Sequence, residues 1–416
     1  MIKTIIPSAI TGELRANPSK SAMQRAVALS MLARGKSIIR NPGQSQDGLA
    51  ALQVAGRLGA LIRQFEDRIE ITGNGVDPQI SEINCGESGL SIRMFTPLAA
   101  ICARPLVITG QGSLALRPMH FFEKMLPALG VSCQTTGGRL PIRIKGPLRA
   151  GNIEVDGSLS SQFLTGLLMA FGAVADQAEV RVRNLKSKPY IGLTLELMAI
   201  FGVKVVNDHF QHFVFEKKQR YVPTDYTVEG DWSGAAFLLV AGAVSGHISV
   251  SGLRTDSAQS DKAILQALEN CRANVRVGQQ ALSVSTGDLR AFDFDATDCP
   301  DLFPPLVALA AHCQGTSTIS GVSRLAHKES DRGKTLQQEF ATLGIGIALV
   351  GDQMRVTGGK IRGARVDSHQ DHRIAMACAV AGLTAGGPVV IDGAEAVNKS
   401  YPEFWDHLRS AGVNMQ

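Results

Sequence analysis

Charged and hydroxyl side chains in this sequence gather at a few recurring places, and each gathering stands directly before an apolar run. They read Ser19-Lys20-Ser21 with Arg25, Glu87-Ser88-Gly89 with Arg93, Ser158 with Ser160-Ser161-Gln162, Asp231, Asp301, and Asp371-His372-Arg373. If the apolar runs are helices, these are helix N-termini. Unpaired N–H groups and a partial positive charge there attract anions before any Lys or Arg is added. Several such ends converging predict a phosphorylated or carboxylated ligand. A second set of clusters lies in polar turns: Lys186-Ser187-Lys188-Pro189-Tyr190, Lys328-Glu329-Ser330-Asp331-Arg332 and Asn398-Lys399-Ser400-Tyr401-Pro402.

The elements that must position these clusters follow from a pattern repeated six times. A short β-branched strand leads into a polar turn, a helix closing on a Leu-Gly-like pair, and another strand. Clear copies are SIIRN…GRLGALIR from Ser37, LVITG…PALGVSC from Leu106, VRVRN…AIFGVKVV from Val180, STISG…ATLGIGIAL from Ser317 and VVIDG…RSAGVNM from Val389. A degenerate copy, ISVSG…CRANVRV, begins at Ile248. Such a period makes each copy one structural unit.

A further helix precedes each copy, as in SGAAFLLVAGAVSG and HRIAMACAVAGLTAGG, and its apolarity all round predicts burial. The unit is therefore buried helix, strand, turn, outer helix, strand, with three copies per domain. In this register the helix starts and the turn clusters fall at corresponding ends of the copies. A polar stretch around Lys217–Thr227 separates the third copy from the fourth. One N-terminal strand, Lys3–Ile10, precedes the first copy and could pair with either half, which allows a discontinuous domain.

Composition narrows the function classes. A chain of 416 residues, 44% apolar and 19% charged, can bury two sizeable cores and is not a disordered one. The net charge of +5 raises nucleic acid as a partner, but there is no dense Lys/Arg run and only four Tyr and two Trp for stacking. A small anionic substrate suits the charge better. Seven cysteines, an odd number without a C-x-x-C pair, read as buried thiols in a reducing compartment rather than a disulfide framework or thiolate metal site. The start MIKTIIPSAITGELRA lacks a signal-peptide core, and runs such as Ala235–Val244 are too short to span a bilayer. A cytoplasmic location is the expectation.

Taken in order, PSKSAMQR, GESGLSIR, VDGSLSSQFL, SKPYIGLTLELM, VEGDWSGAAFLL, CPDLFPPL, HKESDR, QDHRIAMA and NKSYPEFW run through essentially the whole chain. In these motifs the sequence resembles the 5-enolpyruvylshikimate-3-phosphate synthases. The resemblance implies an α/β, two-domain enolpyruvyl transferase fold, an inside-out α/β barrel in which each domain holds three repeats of buried parallel helices and outer mixed sheets. It implies one domain of residues 1–18 plus 229–416, another of residues 19–228, and an active-site cleft between them.

The implied reaction moves the enolpyruvyl group of phosphoenolpyruvate to the 5-hydroxyl of shikimate 3-phosphate and releases phosphate, with no metal or organic cofactor. The implied protein is a monomer with neither nucleic acid nor membrane as partner. Such a transfer protonates the methylene carbon of the donor while the acceptor hydroxyl attacks C2, then removes that proton as phosphate leaves. Acid and base must flank one carbon in a site screened from water.

Carried over residue by residue, Asp301 matches the carboxylate placed as base at the acceptor hydroxyl, and Glu329 and Lys20 match the groups that handle the methylene proton. Ser21 and Arg25 match ligands of the shikimate carboxylate; Ser160, Ser161 and Ser187 match ligands of the 3-phosphate. Gln162 bridges towards the donor, Tyr190 packs on the ring and Lys328 reaches the hydroxyls. For phosphoenolpyruvate the matching cations are Lys20, Arg332, Arg373 and Lys399, with Gly89 giving close backbone approach.

Each residue alone also has a plainer reading. Lys399 reads as a solvated turn lysine, Arg25 as a snorkelling helix-end arginine, Asp371, Asp301 and the Ser160/Ser161 pair as helix caps, and His372 as an ion-pair partner. Their joint occurrence in register with the repeats is what those readings do not supply. The chain also departs from the family pattern: Pro18 replaces a Gly before Lys20, Glu87 and Leu90 replace Asn and Thr, and Arg324 stands where an Asn is usual. Ser113 stands in place of an arginine expected on the donor phosphate, with Arg117-Pro118 retained downstream. This predicts a remodelled donor pocket and weakened inhibition by the analogue glyphosate. Other readings are an enolpyruvyl transferase with a different acceptor, such as UDP-N-acetylglucosamine, a cyclase of RNA ends, or a catalytically silent phosphoester-binding homologue.

Overall fold

The structure is a computed structural model that describes residues 1–326 and 328–416. His327, first residue of the HKESDR motif, lies outside the described residues. The chain divides into two compact units, one of Met1–Asn17 with Glu229–Gln416 and the other of Pro18–Val228.

In Pro18–Val228 the apolar runs form the helices Lys20–Leu32, Gly89–Ala99 and Gln162–Val174, and in the other unit Trp232–Ser245, Phe303–Ala310 and His372–Gly382. Nearly every side chain on them is buried, as expected for helices without a polar face. Ser19, Ser88, Asp231 and Asp371 sit at N-caps in extended or near-extended backbone and accept N–H bonds from the first turn. The helices touch closely where side chains vanish. A methyl added to Gly166 would lie 2.2 Å from the Met94 carbonyl oxygen, so the Gln162–Val174 and Gly89–Ala99 backbones meet at that glycine.

Each buried helix is followed by a strand, and the strand sits in a sheet on the outside. Among the described residues there are six sheets, five of four strands and one of three. The sheet of the second copy shows the plan: Glu82–Asn84 and Pro105–Thr109 pair in parallel around the helix Gly89–Ala99, and Arg139–Lys145 and Ser132–Thr136 follow as an antiparallel hairpin. Parallel strands joined through a buried helix form a βαβ unit.

The sequence pattern misses two parts of this plan. Short strands of three residues, such as Glu82–Asn84 and Asp293–Asp295, precede buried helices and are too brief to show alternation. The strand after each outer helix is in several copies half of a hairpin, as in Leu61–Gln64 with Arg68–Gly73.

Outer helices vary more than the pattern predicts. Gln46–Arg57, Lys188–Ile200 and Arg332–Thr342 are regular, whereas the second copy breaks into Gly112–Leu116, Phe122–Met125 and Pro127–Leu129 around Pro118 and Pro127.

The N-terminus also differs from the single strand Lys3–Ile10. It forms Ile2–Ile5, antiparallel to Val389–Asp392, and Ile10–Arg15, parallel to Gly246–Ser251, with Pro7 between them. Both partners belong to the C-terminal half. In the other unit, Asp225–Thr227 returns to pair in parallel with Gly35–Arg40 and completes the first sheet. No helix among the described residues is long and apolar enough to cross a membrane. Cys85, Cys271, Cys299, Cys313 and Cys378 are buried thiols, as expected, whereas Cys102 and Cys133 are only half-buried.

Candidate active site

In the unit of Met1–Asn17 with Glu229–Gln416, one carboxylate organises the charged groups. Asp301 lies on the single turn Pro300–Leu302 that starts the fifth buried helix. Its Oδ1 accepts from Arg332 Nη1 at 2.7 Å and Lys328 Nζ at 3.0 Å, and its Oδ2 from Arg373 Nη2 at 3.2 Å. Arg373 Nη1 also donates to the Asp301 carbonyl at 3.2 Å. Arg332 is 1% exposed and reaches three acids, because Nη2 donates to Glu329 Oε2 at 2.5 Å and Nε to Asp371 Oδ2 at 2.8 Å. Ser330 Oγ adds a 3.1 Å bond to Asp371 Oδ2. Asp371 is thus both the cap of its helix, accepting from Arg373 N at 3.0 Å, and the anchor of Arg332.

Charge balance explains why these groups tolerate burial. Burial alone would raise the Asp301 carboxyl, but Arg373, Lys328 and Arg332 outweigh it and hold it well below the usual carboxylate range. Burial opposes the Arg332 cation, yet Asp371, Glu329 and Asp301 more than offset that and raise its pKa. For Lys328 burial wins over Asp301, so the ammonium is a stronger acid than a surface lysine. The result is a carboxylate kept ionised among three cations. Arg324, on the turn Val322–Arg324, faces Asp298, Asp301 and Asp352, with burial lowering its pKa. Lys399 is 5% exposed in the turn Ala394–Lys399, so it is not the solvated turn lysine of the plain reading.

In the unit Pro18–Val228 the side chains at the buried helix starts are tied to one another. Arg25 is 1% exposed; its Nε donates to Thr194 Oγ1 at 2.9 Å, Nη1 to the Ser21 carbonyl at 2.8 Å and Nη2 to the Tyr190 carbonyl at 3.3 Å. Burial lowers its pKa to about 10 against the influence of Tyr190 and Tyr226. It links the first buried helix to the helix Lys188–Ile200, which begins after Ser187 in left-handed backbone (φ 55°). Arg93 Nη1 donates to Gln162 Oε1 at 2.9 Å. Ser160 Oγ accepts from Gln162 N at 3.2 Å, while Ser161 at the N-cap position gives its helix no side-chain bond. Lys20 Nζ is held by Asp47 Oδ2 at 3.0 Å.

The loop with Ser113 is not short of a cation. A methyl on Gly89 would lie 2.6 Å from Arg117 Nη1 and 3.5 Å from Arg93 Nη1, so two guanidinium groups flank the glycine at the start of the second buried helix. Arg117 is buried and its Nη2 donates to Ser113 Oγ at 3.4 Å. The retained Arg117 thus lies over the start of the second buried helix and bonds the serine four residues before it.

Within each unit, then, the predicted residues gather: Asp301, Lys328, Glu329, Arg332 and Arg373 in one, and Lys20, Ser21, Arg25, Gly89, Ser160, Ser161, Gln162, Ser187 and Tyr190 at helix starts and one turn of the other. Sequence reading missed Asp47, Thr194, Thr165, whose Oγ1 accepts from Arg25 Nη2 at 3.4 Å, and Asp261, a buried carboxyl that accepts from the Ser233 and Ser260 hydroxyls. The signal for two of them was the repeat itself, since Gln44-Ser45-Gln46-Asp47 and Gln259-Ser260-Asp261 occupy the same strand-to-outer-helix turn as Lys328–Arg332.

Comparison with known proteins matches these observations. The family model of EPSP synthase (3-phosphoshikimate 1-carboxyvinyltransferase) matches residues 5–408. A 3-phosphoshikimate 1-carboxyvinyltransferase from Aeropyrum pernix is 38% identical over 411 residues, 99% of this chain and 95% of that protein. One from Thermococcus kodakarensis is 38% identical over 404 residues, covering 96% of this chain and 97% of its own. The solved EPSP synthase from Acinetobacter baumannii superposes with a TM-score of 0.83 at 26% identity, over 100% of this chain and 99% of that one. With its motifs, its six-copy α/β architecture and full-length likeness all agreeing, this chain belongs to the EPSP synthase family, the 3-phosphoshikimate 1-carboxyvinyltransferases.

Proposed function

We propose that the chain transfers the enolpyruvyl group of phosphoenolpyruvate to the 5-hydroxyl of shikimate 3-phosphate, releasing phosphate, and that the Asp301 cluster is its reacting centre. The observation that carries this reading is the Asp301 carboxylate held ionised by Lys328, Arg332 and Arg373. An ionised carboxylate is a hydrogen-bond acceptor for the acceptor hydroxyl, and the surrounding cations are matched to two anionic substrates. Asp301 takes the hydroxyl proton as the oxygen bonds to C2 of the donor. Glu329 and Lys20 give and then recover the proton at the methylene carbon, and phosphate departs among cations.

Arg332, Arg373, Lys399 and Lys20 hold the donor, and Arg117 beside Gly89 joins them on its phosphate. Ser160, Ser161 and Ser187 take the 3-phosphate of the acceptor, Ser21 and Arg25 its carboxylate, Tyr190 its ring and Lys328 its hydroxyls, with Gln162 between the substrates. On this reading residues of both units serve one substrate pair. Their many cations repel one another until a dianionic acceptor offsets them, which favours acceptor binding first. The chain is read as a cytoplasmic monomer.

The test is phosphate release from phosphoenolpyruvate with and without shikimate 3-phosphate, in wild type and Asp301→Ala. Release that needs the acceptor and is lost in the variant supports the assignment. Acceptor binding without release points instead to a silent phosphoester-binding protein.

A further inference from the structure

Arg25 is a buried guanidinium held by two threonines that have no part in the roles above. Thr165, on the helix Gln162–Val174, and Thr194, on the helix Lys188–Ile200, are both fully buried. With Arg25 on the helix Lys20–Leu32 they join three helices of one unit. Every bond from Arg25 ends on a hydroxyl or a carbonyl, and among the described residues no Asp or Glu forms an ion pair with it. Burying a cation without a counter-ion is costly. Its charge is thus kept for a ligand, whereas that of Arg332 is spent on three acids.

The direction of each hydroxyl follows from its single hydrogen. Thr194 Oγ1 donates to the Tyr190 carbonyl at 2.8 Å and accepts from Arg25 Nε at 2.9 Å. Across the 3.0 Å contact between the threonines, Thr165 Oγ1 is then the donor, since a hydroxyl has one hydrogen and two lone pairs. Thr165 Oγ1 in turn accepts from Arg25 Nη2 at 3.4 Å, and the second Nη2 hydrogen goes to the Tyr190 carbonyl at 3.3 Å. Nη1 gives one hydrogen to the Ser21 carbonyl at 2.8 Å. What is left to a ligand is the other Nη1 hydrogen, and Ser21 stands one helical turn away on the same face. The threonine bonds are buried and the one to Ser21 only partly, so Nη1 is the end a ligand can reach.

We propose that Thr194, backed by Thr165, is a positioning residue that makes the site specific for an acceptor with a carboxylate, because the pair locks Nε and Nη2 and leaves Nη1 to present one fixed N–H. The inference rests on the reading of Ser21 and Arg25 as ligands of the carboxylate of shikimate 3-phosphate. A guanidinium that can turn offers its two-pronged edge to any oxyanion; one fixed N–H selects by direction. Thr194 never touches the substrate and acts through its neighbours. Since the same oxygen holds the Tyr190 carbonyl, one atom sets both the group that meets the carboxylate and the residue that packs on the ring.

The test compares calorimetric affinity for shikimate 3-phosphate with that for its analogue in which the carboxylate is reduced to a hydroxymethyl group. Wild type is expected to prefer the carboxylate about a hundredfold, and Arg25→Gln to lose nearly all of that preference. Thr194→Val, which keeps the shape and removes the hydroxyl, lowers the preference about tenfold, by loss on the carboxylate ligand alone. Thr194→Ser restores it. Thr165→Val, which leaves the Nε bond in place, lowers it about threefold. A purely structural role would weaken both ligands together and leave their ratio as in wild type.

An unchanged ratio in folded Thr194→Val overturns the positioning role while Arg25 remains the carboxylate ligand. Should Thr194→Val not fold, an unchanged ratio in Thr165→Val overturns it instead. A preference that survives Arg25→Gln, or a wild type that binds both ligands alike or neither, refutes the reading of Arg25, and the proposed role with it.

Discussion

At the scale of single residues, the chemistry rests on charge pairs that are costly to assemble and costly to break. Arg332 serves Asp301, Glu329 and Asp371 with one guanidinium, a division of donors that an ammonium cannot reproduce. Such a network removes the desolvation penalty only while every member is present. Asp261 is a buried acid held by hydroxyls instead of a cation, and stability should reveal it. Its proton affinity rises on folding from an ordinary value of 3.8 to about 6. The native state therefore binds that proton more tightly than the unfolded chain. The associated stability is complete below about pH 4 and is lost as the pH rises through about 6. Asp261→Asn should match wild type in the free energy of urea unfolding near pH 4 and exceed it by roughly 2–3 kcal/mol at neutral pH. Equal free energies across that window would show that the buried carboxyl is not strained by ionisation.

At the scale of elements, the buried helix is both the core and the frame of the site, because its first turn ends at the chemistry. Gly89 is where this coupling is tightest: a side chain there meets Arg117 Nη1 at 2.6 Å. Gly89→Ala should push that guanidinium away from the helix start, raising the KM for phosphoenolpyruvate about tenfold while calorimetric affinity for shikimate 3-phosphate stays within twofold. Equal losses for both ligands would mean that the whole helix start had moved.

Much of this was legible in the sequence. All-round apolarity marked the buried helices, and Asp301, Glu329, Arg332 and Arg373 stood out as charges placed at their starts and turns. Thr165 and Thr194 did not, because they act by holding Arg25, and a partner far away in sequence leaves no local trace, whereas Asp47 and Asp261 were marked only by their place in the repeat. The three-residue strands were hidden for a similar reason, since their pairing and not their composition defines them.

At the scale of the whole molecule, the chain leaves one unit at Asn17 and returns to it at Glu229. Its first two strands are edge strands of sheets whose other members lie beyond that return. Removing residues 1–17 should expose the edges of Gly246–Ser251 and Val389–Asp392 while leaving Gly35–Arg40 fully paired. Hydrogen exchange should then show faster exchange in the first two strands and none in the third; uniform loss of protection would mean that the units unfold as one.

The same arrangement imposes an order on synthesis. Ile10–Arg15 leaves the ribosome long before Gly246–Ser251, and Ile2–Ile5 before Val389–Asp392, whereas Pro18–Val228 contains every strand of its own sheets. The inserted unit can be complete while the surrounding one is barely begun; Ile10–Arg15 must wait through the making of the first, and Ile2–Ile5 through nearly all of both. In that waiting segment Ile2, Ile5 and Ile6 are prone to pair wrongly, and Lys3 and Pro7 are the residues that oppose it, so a strand made early finds its place late.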